Sequence, residues 1–192
     1  MAGHVRCTAL LDACVLYPLA IADALMSVAA AGSFSARWTT YIECEWVSAL
    51  ERARPELVGR LDFRRECMRE ACQDWEVPKA AWEPLVASLV LPDPDDRHVL
   101  AAAIAGHADY IVTLNLRDFP QAAAAKFGID VVDPDTFLLN QWDLEPEVAA
   151  AAFQAMRERR RRPEFGPDDF ARALHAGGLP LVAQRFREVV MA

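Results

Sequence analysis

Short apolar runs alternate with longer segments of helical periodicity through most of the chain. The run at 5–11 predicts a buried strand, and residues 34–38, 110–113 and 129–132 predict three more. Between these runs, apolar residues recur at three- and four-residue spacing, which predicts amphipathic helices. Strands that alternate with helices indicate βαβ units. We therefore expect an α/β fold, a parallel sheet flanked by helices.

The helices are bounded by proline, glycine and capping residues. Thr39 or Thr40 can cap one helix, and Asp95 or Asp96 can cap an Ala-rich helix that Gly106 ends. The helices predicted between strands cover 17–31, 39–54, 55–75, 82–90 and 95–105. After about residue 134 only helices are predicted, over 134–141, 145–161, 167–176 and 179–190. The pattern predicts a domain over 1–140 and an all-helical C-terminal extension over 141–192.

The charge differs between these two parts. The 192 residues carry a net charge of −8, but residues 140–192 hold eight acidic and eight basic side chains. The excess of acid therefore lies in residues 1–139. Five arginines, at 157 and 159–162, form the one dense basic run. A solvated helix face is its default interpretation, and contact with RNA phosphates or with an acidic partner is a hypothesis.

The cysteines and the lengths of the apolar runs predict where in the cell the protein is located. The five cysteines are odd in number and have no disulfide or metal-ligand spacing, which indicates a reduced, cytoplasmic location. The apolar runs are too short for a signal peptide or a membrane span, so no membrane association is expected.

Four acidic residues lie where a metal-dependent nuclease would need them. Asp12 ends the first strand, Asp96 opens the Ala-rich helix, Asp118 follows a later strand, and Glu45 lies on a helix. Because sites form beyond the carboxyl ends of parallel strands, these carboxylates are expected to gather there. Gathered carboxylates repel one another, and a hard cation such as Mg²⁺ or Mn²⁺ resolves the repulsion.

Each residue has an expected role in phosphodiester hydrolysis. Asp12, Asp96 and Asp118 are the predicted metal ligands, and the helix dipole is expected to keep Asp96 ionised. Thr113 and Asn115 are expected to orient these ligands or to touch the substrate.

Three side chains close to these acids have more than one interpretation. Glu43 and Glu45 lie about 200° apart on one helix, so only one of them can face the crevice, and periodicity alone does not choose. His98 is expected at the surface, with substrate contact as the other hypothesis. Cys14 is expected to fill space in the core.

Four segments together resemble a PIN domain of the kind found in VapC-type toxins. They are LLDACVLYP, RWTTYIECEW, LPDPDDRHVLAAAIAGHADYIVTLNLRDFP and FGIDVVDPDTFL, and the resemblance covers about residues 5–140. It implies a flap-endonuclease-like fold and a ribonuclease that depends on Mg²⁺ or Mn²⁺. It also implies 5′-phosphate and 3′-hydroxyl products, a small cognate antitoxin and a homodimer.

The resemblance also assigns the site residues. The family's acidic positions fall on Asp12, Glu45, Asp96 and Asp118, and Leu50 five residues after Glu45 selects that glutamate over Glu43. Asn115 stands where many PIN domains have Asp, which lowers the local negative charge. The region after 140 resembles a helical extension found on some toxin subfamilies.

Two other functions remain as alternatives. One is a PIN scaffold that binds RNA or protein without cleaving, which Asn115 keeps open. The other is a different phosphoryl-handling α/β hydrolase or a receiver domain. A dehalogenase-like phosphatase needs Asp two residues after its nucleophile, but Cys14 follows Asp12 there. A receiver needs a lysine at a strand end, and neither Lys79 nor Lys126 has that position.

Overall fold

Four short parallel strands form the sheet that positions the site. The structure is a computed structural model and describes residues 6–160 and 165–190. Within those residues the strands are β1 (Thr8–Leu11), β2 (Ser35–Arg37), β3 (Tyr110–Val112) and β4 (Asp130–Val132). They lie in the order β2–β1–β3–β4, and every neighbouring pair is parallel. The predicted α/β fold with a parallel sheet is confirmed.

Helices flank this sheet and form the whole C-terminal region. Before β3 they are α1 (Ala13–Leu16), α2 (Leu19–Ala30), α3 (Thr40–Ala53), α4 (Asp62–Ala71), α5 (Lys79–Trp82) and α6 (Arg97–Ala105). After β3 they are α7 (Gln121–Ala124), α8 (Pro134–Leu144), α9 (Pro146–Glu158), α10 (Pro167–Ala176) and α11 (Pro180–Val190). Short 3-10 turns occupy Pro55–Leu57, Glu83–Ser88 and Ala125–Phe127.

The two central strands are buried on both faces. Leu10 and Leu11 of β1 and Ile111 and Val112 of β3 have no exposed surface. Helices cover both sides of a parallel sheet, so its strands are continuous apolar runs and not alternating ones. The switch in strand order, with β2 on one side of β1 and β3 on the other, opens a crevice beyond their carboxyl ends.

Two predicted helices are wrong in their extent. The helix predicted over 17–31 begins at Leu19, because Pro18 has extended backbone angles and no N–H to continue α1. The helix predicted over 55–75 is a 3-10 turn followed by α4, with Gly59 at φ 68° between them. A left-handed residue cannot continue a right-handed helix, so the chain turns there. The helix predicted over 82–90 is of the 3-10 type and covers Glu83–Ser88, and the short helices α1, α5 and α7 were not predicted.

The C-terminal helices pack on the rest of the chain. Helix α9 packs against α2, and α8 packs against α2, α9 and α11. The carboxylate of Asp135 in α8 accepts hydrogen bonds from the backbone N–H groups of Leu181 and Val182, at 2.8 and 3.0 Å, where α11 begins. The predicted boundary at residue 140 lies within α8.

The described part of the basic run makes internal contacts. Arg157 donates to the carbonyl of Phe165 at 2.9 Å, and the Arg160 guanidinium lies over the ring of Phe165. Arg159 donates to Asp23 at 2.9 Å and to Ser27 at 2.7 Å, both on α2. The arginines at 161 and 162 lie outside the described residues. Arg159 therefore ties the C-terminal region to α2.

The helices are short and mostly amphipathic. Within the residues that the structure describes, none has both the length and the apolar character needed to cross a membrane.

Candidate functional site

A crevice of about 750 Å³ opens beyond the carboxyl end of β1. Asp12, Glu45, Asp96 and Asn115 are among the residues that line it, and they come from four different segments of the chain. The backbone N–H of Asp12 donates to the carbonyl of Val112 at 3.1 Å, so the residue continues the β1–β3 ladder by one step. The sheet therefore fixes the position of the first carboxylate.

Two neighbouring side chains orient the Asp12 carboxylate. The Thr113 hydroxyl donates to Asp12 Oδ2 at 2.6 Å, and the Cys14 thiol lies 3.0 Å from the same oxygen. Burial, and then the charge on Asp12, raise the pKa of Cys14 to about 12, so the thiol stays protonated and donates. The backbone N–H of Asn115 donates to the Thr113 hydroxyl at 2.9 Å. Among the described residues no donor binds Asp12 Oδ1, which leaves that oxygen free for a ligand.

Asp96 stands at the N-terminus of α6 but does not cap it. Its side chain makes no capping hydrogen bond, and its buried Oδ2 has no partner among the described residues. Burial, followed by the charges of Asp12, Asp93 and Asp118, raises the pKa of Asp96 to about 6. The helix dipole therefore does not hold this pKa at its ordinary value, although a carboxyl with a pKa of about 6 is still mostly ionised at pH 7. Desolvation and like charges outweigh the dipole.

The two glutamates of α3 face opposite directions. Glu45 lines the crevice, and its Oε1 lies 3.2 Å from His98 Nε2. Glu43 is 1% exposed and ion-paired to Arg65 at 2.7 Å and to Arg69 at 2.5 Å. The structure thus brings Glu45 to Asp12 and Asp96, and it uses Glu43 to join α3 to α4.

Asp118 lies at the edge of the site. It is half-buried, it is not among the residues that line the crevice, and it accepts a hydrogen bond from the Asn115 side chain. Its charge still contributes to the raised pKa of Asp96, so the two carboxylates are close enough to interact. Of the three predicted metal ligands, Asp118 is the one that does not line the crevice.

His98 is buried and not at the surface, so that expectation is wrong. Its ring lies 4.6 Å from the Tyr41 ring and 6.2 Å from the Trp82 ring, both edge-on or tilted, and it retains 7% exposure. The signal in the sequence was the helix itself, since the residues that follow His98 in α6 through Ala103 are all buried. His98 therefore packs in the interior, in contact with Glu45.

The donors at the crevice suit a hard divalent cation by their chemistry. They are carboxylate oxygens, the ligands that Mg²⁺ and Mn²⁺ prefer, and the buried Asp96 Oδ2 has no hydrogen-bond partner among the described residues. Within the described residues, however, no three Asp, Glu, His or Cys side chains are close enough to hold an ion. Carboxylates without a counter-charge repel one another. Asp12 and Asp96 would be the main ligands.

The sheet order, the crevice and its carboxylates define a PIN domain. The family model described as "PIN domain" matches residues 8–117, more than half of the chain, so this chain belongs to the PIN-domain family. This confirms the resemblance drawn from the sequence. A second model, described as "VapC50 C-terminal domain", matches residues 134–188.

One curated relative is similar over part of its length. It is named "Putative ribonuclease VapC50" and comes from Mycobacterium tuberculosis; it is 43% identical over 79 residues, which are 41% of this chain and 47% of the relative. The similarity thus spans about half of that protein. No solved structure matches this chain.

Proposed function

We propose that this chain is a metal-dependent endoribonuclease and the toxin of a type II toxin–antitoxin pair. The observation that carries the proposal is the crevice itself, which Asp12, Glu45 and Asp96 all line and where Asp96 has a raised pKa and a buried oxygen without a hydrogen-bond partner among the described residues. Such a carboxylate is typical of a functional site. Membership of the PIN family and the ribonuclease name of the relative support the same activity.

The residues of the crevice would have different roles in hydrolysis. Asp12, Asp96 and Asp118 would hold Mg²⁺ or Mn²⁺, which neutralises charge on the phosphate and makes water acidic. Thr113 and Cys14 both bind Oδ2 of Asp12 and so keep its carboxylate in one orientation. Glu45, which lines the crevice beside His98, would accept a proton from the attacking water.

The reaction breaks one phosphodiester bond. The oxygen of water would attack phosphorus in line and pass a proton to Glu45, the bond between phosphorus and the 3′-oxygen would break, and the 3′-oxygen would take a proton from solvent water. The products carry a 5′-phosphate and a 3′-hydroxyl.

The test is cleavage of total RNA with Mg²⁺ or Mn²⁺ and with EDTA. Asp12→Asn, Asp96→Asn and Glu45→Gln keep the shape of each side chain and remove its charge. Asp95→Asn is the matched control, because Asp95 is exposed and does not line the crevice. We expect cleavage by the parent and the control, and a loss of at least 100-fold in the three site variants. Equal cleavage by all of them would reject the site.

One observation favours the scaffold alternative. Asp118 is bound to Asn115, where many PIN domains carry an acid, so the site has fewer free charges than a fully acidic one. If the chain is a scaffold, the parent and Asp96→Asn bind RNA or protein equally, and neither of them cleaves RNA with any added metal ion. Binding and cleavage measured on the same samples separate the two functions.

The partners and location follow from the proposed toxin role. A small antitoxin would block the crevice, and the active toxin would be a cytoplasmic homodimer. Leu19 and Phe63 are 64% and 76% exposed and line a groove between α2 and α4, and large exposed apolar side chains are typical of a surface that another chain covers. Light scattering on the chain alone, and on the chain co-expressed with the product of a neighbouring open reading frame, measures both assemblies.

A further inference from the structure

The crevice continues past the carboxylates along one face of α3. Tyr41, Glu45, Ser48 and Arg52 all line it, and their spacing of four, three and four residues keeps them on one side of the helix. From Tyr41 to Arg52 the helix rises about 16 Å. The crevice is therefore long enough for more than the scissile phosphate, and its floor is built from one rigid element.

Arg52 stands at the far end of this face. It is the one basic side chain among the described residues that line the crevice, and it has no ion-pair partner within the part of the chain that the structure describes. It lies seven residues after Glu45, which is two helical turns or about 10 Å. An exposed guanidinium at this distance from a carboxylate centre can bind a phosphate with a fork of N–H donors.

Two tyrosines line the crevice and supply aromatic surface. Tyr41 is 52% exposed, while its ring packs against the His98 ring in a T-shaped arrangement at 4.6 Å. Tyr17 is the second, and its backbone carbonyl accepts a hydrogen bond from Arg64 at 3.4 Å. A ring that is held by its neighbours and is still half exposed offers surface on which an unpaired base can stack.

We propose that Arg52 and Tyr41 form an RNA-binding subsite of this crevice, in which Arg52 binds a phosphate away from the scissile bond and Tyr41 stacks on an unpaired base. This rests on the proposed ribonuclease function. A duplex keeps its bases stacked on one another, whereas a single strand offers base faces to aromatic side chains. Arg52 also explains how a chain with a net charge of −8 attracts a phosphate backbone, since it places the cation inside the acidic crevice.

The variants separate binding from chemistry. Arg52→Ala removes the charge and Arg52→Lys keeps it. Arg54→Ala is the matched control, because Arg54 is exposed at the end of the same helix and does not line the crevice. Tyr41→Ala removes the ring and Tyr41→Phe keeps it. Each is made in the full chain for cleavage and in the Asp96→Asn background for binding, and circular dichroism checks that each is folded.

The probe is a short unstructured RNA of mixed sequence with a fluorescent end, used alone and annealed to its complement. Cleavage gives KM and kcat, and anisotropy at several salt concentrations gives affinity. We expect Arg52→Ala to weaken affinity and raise KM about 10-fold with little change in kcat, and to lower the salt slope by about one. Arg52→Lys should recover most of the loss. Tyr41→Ala should weaken single-strand affinity at least about 5-fold, whereas Tyr41→Phe should not.

Three outcomes overturn the proposal. They are equal effects of Arg52→Ala and Arg54→Ala, equal affinity for the single strand and the duplex, and no RNA binding by the parent. If the parent cleaves RNA while Arg52→Ala is unchanged, the crevice proposal fails and the ribonuclease stands. If the parent binds the single strand through Arg52 but never cleaves, the crevice proposal stands and the ribonuclease fails.

Discussion

At the scale of single residues, the orientation of Asp12 depends on a hydroxyl that has no exposed surface. Thr113 donates to Asp12 at 2.6 Å and accepts from the backbone of Asn115, so one side chain couples the end of β1 to the loop after β3. Groups that orient metal ligands in this way commonly change metal affinity or activity 10- to 100-fold when they are removed.

Thr113→Val keeps the shape of the side chain and removes this hydrogen bond. We expect the variant to lose about 10- to 100-fold in Mn²⁺ affinity, measured by calorimetry, because Asp12 is no longer held in one orientation. Thr113→Ser keeps the hydroxyl and is expected to stay close to the parent. If Thr113→Val and Thr113→Ser have the same Mn²⁺ affinity, the hydroxyl does not position Asp12.

Asp96 makes the metal-free protein sensitive to pH. Its pKa is raised to about 6, so the folded state binds this proton more tightly than the unfolded state does, and stability falls as the pH rises through that value. Asp96→Asn should therefore raise the melting temperature in EDTA at pH 7.5, and the gain over the parent should narrow at pH 5. Asp95→Asn should show no such gain. If Asp96→Asn is less stable than the parent at pH 7.5, the ionised Asp96 carboxylate does not destabilise the folded protein.

Residue-scale chemistry was only partly visible in the sequence. Asp12 and Asp96 could be expected at the crevice from a strand end and a helix start, whereas Glu45 was selected over Glu43 only by the resemblance to the family. The raised pKa of Asp96 could not, since burial and the approach of Asp12 are tertiary effects. Cys14 was expected to fill space, yet it donates to Asp12, and two residues of separation along the chain do not reveal that contact.

At the scale of elements, α3 joins the crevice to the rest of the domain. One of its faces carries Glu45, and the other buries Glu43 between Arg65 and Arg69 of α4. Trp38 donates to the same glutamate at 3.4 Å, and its ring stacks on Trp75 at 4.9 Å. The two glutamates therefore have separable roles, although only one residue lies between them.

Substitution of the two glutamates should separate stability from activity. Glu43→Ala leaves two arginines without their buried partner, and because these arginines are partly exposed we expect a loss of about 2 kcal/mol in the free energy of unfolding. RNA cleavage per folded molecule should change little. Glu45→Gln should abolish cleavage with little effect on unfolding in urea. Loss of both properties in both variants would contradict the division of roles.

The elements were predictable to different degrees. The two central strands were found because continuous apolar runs are typical of a sheet covered on both faces, whereas the edge strands β2 and β4 are shorter and include exposed polar residues. Thr39 caps α3 as predicted, accepting from the N–H of Ile42. The interruption at Pro18 and the turn at Gly59 were missed, because the apolar periodicity continues across both while the backbone does not.

At the scale of the whole molecule, the C-terminal helices are anchored at several points. Asp135 binds the first N–H groups of α11, and Arg159 binds Asp23 and Ser27 on α2. The division at residue 140 stays a prediction, and these contacts bear on how independently the two parts unfold.

Asp135→Ala tests that coupling. It removes the carboxylate that satisfies two N–H groups at the start of α11, and losing such a cap costs about 1 kcal/mol. We expect thermal unfolding to remain one transition at a lower temperature, measured by circular dichroism and by limited proteolysis. Asn140→Ala is the matched control, because Asn140 is an exposed residue of the same helix and its side chain makes no hydrogen bond among the described residues. A second, earlier transition would show that the extension unfolds alone.

Whether the crevice holds a divalent cation is measured most directly by calorimetric titration of Mn²⁺ into the metal-free chain at pH 7.5. The parent and Asp95→Asn are predicted to bind the ion with equal affinity, and Asp12→Asn and Asp96→Asn are predicted to lose at least about 10-fold. Binding that is unchanged in both site variants, or no binding by the folded parent, would contradict a metal centre at these carboxylates.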